Sequence, residues 1–108
     1  MDNNQLKIKS TDVSRRIELG RQKGEDVSPL LREKMELLKI GYEKLSNELQ
    51  DDKYEKNPRK YSTLLAYQNN IKNIQEELNI PTNETNQEIN NINQMMEKAG
   101  LAWLLQAK

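Results

Sequence analysis

The chain has 108 residues, 31% charged and 34% apolar, with Lys+Arg and Asp+Glu matched at 17 each; this suits one domain with a thin core and gives no whole-molecule attraction to nucleic acid or acidic surfaces. It contains no Cys and no His, which excludes disulfides and thiolate metal sites and removes the usual general base near neutral pH along with the commonest metal ligand. No run approaches the roughly 18 apolar residues of a membrane span and the N-terminus lacks a signal peptide's apolar stretch, so the expectation is a cytoplasmic protein with no membrane contact.

Residues Met1 to Lys9 alternate weakly around Leu6 and Ile8 and read as a flexible basic arm over about 1–10. Ser10, Thr11 and Asp12 are good N-caps, and Val13, Ile17 and Gly20 follow at helical spacing, which predicts a short first helix near 11–22, weakened and ended by Gly20 and Gly24. From Lys7 to Lys23 the basic side chains outnumber the acidic ones by six to two. Lys7, Lys9, Arg15, Arg16, Arg21 and Lys23 are therefore candidate nucleic-acid contacts, with an ordinary solvated helix face as the alternative.

Ser28-Pro29 is a strong helix start, because Ser caps and Pro at the first helical position costs nothing. The predicted second helix, about 29–51, carries Leu31, Met35, Leu38, Tyr42, Leu45 and Leu49 at spacings of four and three, the seam of a helix that lies along another. Leu30, Leu37 and Ile40 widen its apolar face in the N-terminal half, which calls for a second neighbour there. Gly41 in mid-helix reads either as tolerated or as the mark of a close backbone approach.

The polar run Asp51 to Lys56 followed by Asn57-Pro58 reads as a turn and a restart, so the third helix, about 58–79, returns antiparallel and stops before Pro81. Its stripe is Leu64, Tyr67, Ile71, Ile74 and Leu78. Thr85-Asn86-Gln87-Glu88 matches a capping box with Thr82 as a competing cap, placing the start of a fourth helix near 83–86. That helix carries Ile89, Ile92, Met96, Ala99 and Trp103, and Asn90, Asn91 and Asn93 make it weak in isolation. Gly100 either ends it, letting Leu101 to Leu105 fold back, or is passed through.

The expected class is all-α: an antiparallel helical hairpin (about 29–51 and 58–79) closed by a C-terminal helix into a three- or four-helix bundle. A polar hairpin of this length needs cover, supplied by the fourth helix or by a second chain, and Leu30, Leu37, Ile40, Leu101, Trp103, Leu104 and Leu105 are the candidate partner-binding residues. No nucleophile motif or Gly-rich phosphate loop is present, and Glu76 and Glu77, being adjacent, point in different directions on a helix. The reading is a small non-enzymatic interaction protein that binds a protein partner or itself, with no cofactor, no metal and no small-molecule substrate. Thirteen Asn beside twelve Lys and five Arg is a bias of AT-rich genomes, such as low-GC bacteria and their phages.

A second reading comes from Asn57-Pro58, Leu64, Ile71, Ile74 and Glu77-Leu78-Asn79-Ile80-Pro81, whose spacing is similar to the closing helix of some phage small-terminase proteins. The likeness covers about a quarter of the chain and implies an oligomeric DNA-binding protein; a whole helix after Pro81 departs from it. Length and Cys-free composition also look like secreted helical hairpins exported without a cleaved signal, although the Trp-X-Gly turn of that group is absent. Bacteriocin immunity proteins are compatible in size.

Overall fold

The computed structural model describes residues 2–51 and 58–101, with the side chains of residues 2–49 and 58–101. It is all-α, with helical-bundle packing of four helices: α1 (Asn3–Gln22), α2 (Ser28–Asp51), α3 (Pro58–Glu77) and α4 (Asn83–Lys98). The main packing runs between chain neighbours, α1 on α2, α2 on α3 and α3 on α4. The hairpin of α2 and α3 is thus central, as the two seams require.

The first helix departs from the sequence expectation. It begins at Asn3 rather than near residue 11, so residues 3–10 of the expected flexible basic arm are helical. The cause is local. Asp2 is the N-cap: its Oδ1 accepts from the Gln5 amide at 2.8 Å, and the Gln5 Oε1 accepts from the Asp2 amide at 3.2 Å. This reciprocal box satisfies two of the donors a helix start leaves open, and Ser10, Thr11 and Asp12 lie inside the helix. Leu6, Val13, Ile17 and Gly20 form its buried stripe.

Three helices end in the same way. Gly24 (φ +71), Asn79 (φ +59) and Gly100 (φ +76) adopt the left-handed conformation. In each case the following amide reaches back to a carbonyl five residues earlier: Glu25 to Gly20 at 2.8 Å, Ile80 to Gln75 at 2.7 Å and Leu101 to Met96 at 2.8 Å. These are Schellman closures, which pair carbonyls that a helix end leaves unbonded. Glycine takes this conformation without strain and Asn is the next most tolerant residue, which is why Asn79 can occupy the turn before Pro81. At Gly100 the closure settles the alternative left open by the sequence: α4 stops, and Leu101 turns back into the core at 6% exposure.

At the start of α2, Leu31 N–H donates to the carbonyl of Val27 (2.9 Å), so the helix is entered one residue earlier than Ser28 as cap would allow. The capping oxygen comes from Asp26, whose Oδ1 accepts from the Ser28 amide at 3.0 Å. Hydrogen bonds from the Ser28 side chain and amide hold the Asp26 carboxyl below its ordinary pKa.

The core has two clusters that share the hairpin. Leu6, Val13 and Ile17 of α1 join Val27, Leu31, Met35, Leu37, Ile71 and Ile74. Leu49, Tyr61 and Leu64 of the hairpin join Ile92, Met96, Ala99 and Leu101. Among the described residues α1 contributes to the first cluster and α4 to the second. The wide apolar face on the N-terminal half of α2 thus finds its cover in α1.

Candidate interaction surface

Leu37 is 6% exposed within the first cluster, and Leu30 and Ile40 are half-buried against it. Leu101 belongs to the second cluster. Leu37 and Leu101 are thus buried within the single chain, and Leu30 and Ile40 are partly covered by it. Trp103, Leu104 and Leu105 lie outside the described residues, as does all but Asp51 of the turn expected over Asp51 to Lys56.

The six basic residues near the N-terminus do not converge. At about 100° per residue, Lys9, Arg16 and Lys23 fall on one flank of α1, Lys7 and Arg21 on the other, and Arg15 on the outer crest. Arg16 bonds Asp12 at 2.9 Å and approaches Glu33 of α2 at 3.6 Å. Arg21 makes a two-pronged contact with Glu77 of α3, at 2.8 and 3.0 Å. Two of the six guanidinium and ammonium groups therefore fasten α1 to the hairpin.

The structure reassigns the expected capping box. Thr85 and Glu88, three residues apart on α4, share a face that looks toward the hairpin. Thr85 Oγ1 donates to Gln75 Oε1 at 2.7 Å in a buried pair between α4 and α3. The Tyr42 hydroxyl donates to Glu88 Oε2 at 2.8 Å, joining α2 to α4. Thr82 holds the cap position without a side-chain cap bond. Burial first, and then the bond to Glu88 with its negative charge, raise the Tyr42 phenol well above its ordinary pKa. These groups satisfy one another between helices, which is the role of staples. A capping box and a pair of cross-helix bonds call on the same residue types, so the sequence alone could not separate them.

Gly41 is explained by a side chain rather than a backbone. A Cβ there would lie 2.8 Å from Cε1, Cζ and Oη of Tyr67, so the ring of α3 rests directly on α2. A shallow cleft of about 410 Å³ opens beside this contact, between Leu6 and Lys7 of α1 and Lys44 and Leu45 of α2.

The outer face of α1 carries the surface that sequence reasoning missed. Ile8 is 68% exposed and Leu19 46% exposed, the large hydrophobic side chains left open among the described residues. They are eleven residues apart, three helical turns, and so share one stripe. The signal was present in the sequence but depended on α1 starting at Asn3; with residues 1–10 taken as an arm, Ile8 has no face. Among the described residues no helix is long and apolar enough to cross a membrane, and no cluster of three or more His, Cys, Asp or Glu could hold a metal ion. The chain matches no protein-family model, no curated protein and no solved structure.

Proposed function

We propose that this protein is a small non-enzymatic interaction module that binds another polypeptide chain through the outer face of α1. The observation that carries the reading is the alignment of Ile8 and Leu19 on one stripe of a helix whose opposite stripe is already buried. Single exposed apolar residues are ordinary on protein surfaces, but two on one helical line supply the anchors a helix-on-helix contact uses. The dispersal of the basic residues, two of them held by Glu77 and by Asp12 with Glu33, favours this reading over phosphate binding.

The test is a photo-crosslinking side chain placed at position 8 or 19 of the full chain, with positions 36 and 69, exposed on α2 and α3, as controls. In an extract of the source cells, adducts with polypeptide are expected from 8 and 19 and not from 36 and 69. Equal yields from all four positions, or none from any, would overturn the proposal.

A further inference from the structure

The arrangement of the α1 stripe points to its occupant, and we infer that it is a second copy of this chain, with the two α1 helices antiparallel. This rests on reading the outer face of α1 as a binding surface and goes on to name the partner. Ile8, Asp12, Arg15 and Leu19 follow one another at spacings of four, three and four, an unbroken line opposite the buried Leu6, Val13, Ile17 and Gly20. Turn a second α1 end for end about a two-fold axis passing between residues 13 and 14. Residue 8 then faces 19 of the partner and residue 12 faces 15. The apolar ends meet apolar ends twice, and the carboxylate of Asp12 meets the guanidinium of Arg15 twice.

A line that is its own complement in both polarity and charge is what a two-fold interface requires of one surface patch. Parallel pairing would instead set Asp12 on Asp12 and Arg15 on Arg15. The surface relief agrees. A hollow of about 370 Å³ lies beside Ile8, lined by Lys7, Thr11, Asp12 and Arg15, where the antiparallel register delivers Leu19 of the second copy. One flank opposes this pairing, since Lys9 and Arg16 would approach their counterparts. Arg16, however, is drawn toward its own α2 by Glu33 and neutralised by Asp12. Asp12 remains 56% exposed, so it can take a second cation. A contact of three helical turns is small, near or below the ~1,000 Å² of a stable interface, so the dimer should form and dissolve with concentration.

Analytical ultracentrifugation of the full chain from about 10 µM to about 1 mM, a span matching weak association, tests the inference. The dimer fraction should rise across that range. Ile8→Asp should stay monomeric throughout with unchanged circular dichroism and melting, because the side chain is exposed. Asp12→Arg and Arg15→Asp should each weaken association by about tenfold or more through like-charge contact, and the double variant should recover most of it. Wild-type protein that remains monomeric at about 1 mM, a dimer indifferent to Ile8→Asp, or a double charge swap that fails to recover would each overturn the inference. The wider reading is separable: a monomer whose position-8 crosslinker still captures another protein refutes self-pairing alone, whereas a monomer that captures nothing refutes both.

Discussion

Replacing Gly41 with Ala sets two effects of similar size against each other. In an open helix interior the change would stabilise by about 1 kcal/mol, because glycine has more backbone freedom to lose. Here the new Cβ would sit 2.8 Å from three atoms of the Tyr67 ring, closer than real Cβ contacts come. Overpacking of this kind costs about 1–3 kcal/mol. The balance is a net loss of roughly 1 kcal/mol, near 4 °C in melting temperature for a domain of this size. Removing the ring should reverse the sign: in a Tyr67→Ala background, Gly41→Ala should stabilise by about 1 kcal/mol, giving a coupling of about 2 kcal/mol between the two sites. Urea denaturation of the four proteins, followed by far-ultraviolet circular dichroism, measures each term. If Gly41→Ala stabilises equally with and without the Tyr67 ring, the ring does not rest on this helix and the explanation of Gly41 fails.

Three further outcomes are expected. Thr85→Val should cost about 1–3 kcal/mol in denaturant unfolding because the buried Gln75 carbonyl loses its donor, whereas Thr85→Val combined with Gln75→Leu should recover much of the loss. The Tyr42 phenol is raised in the fold, so its contribution is fully present below the ordinary tyrosine pKa and fades as pH rises above it toward the folded value; Tyr42→Phe should flatten the alkaline loss of stability, and ultraviolet titrations of the wild type and Tyr42→Phe should differ by a phenol that ionises late. Asp2→Ala should remove the bond from the Gln5 amide to the Asp2 carboxylate while leaving the residue-2 amide its bond to Gln5 Oε1, cost about 1 kcal/mol, and speed amide exchange over residues 3–9 while leaving α3 protected.

The central hairpin was legible because its information is local: seams with regular spacing, Pro at two helix starts, and Pro81 behind a stop. The start of α1 was legible too, since Asp2 and Gln5 have the spacing of a capping box, but the stronger-looking Ser10-Thr11-Asp12 group outweighed it. Whether Leu37 faces a partner or a neighbour could not be read from α2 alone; it depended on α1 reaching back to residue 3 and burying Leu6, Val13 and Ile17 against that side. Tyr67 on Gly41 needed the register of α3 against α2, which the spacing within either helix leaves free. Thr85 and Glu88 show the deeper limit: side chains able to close a helix start are equally able to bond a neighbouring helix, and only the packed arrangement decides.

The main packing of this molecule is sequential, each helix lying against the one before it. A chain emerging from the ribosome would therefore meet every partner surface in the order of its synthesis, with α1 waiting for α2 and the finished hairpin waiting for α4. Folds dominated by such short-range contacts have little loop entropy to overcome and fold in microseconds to milliseconds. The first apolar cluster needs α3 to be completed and the second needs α4 and the turn at Gly100. A nascent chain halted before residue 83 would still close its first cluster while leaving Leu49, Tyr61 and Leu64 uncovered, so the sixteen-residue α4 is the element that closes this apolar surface.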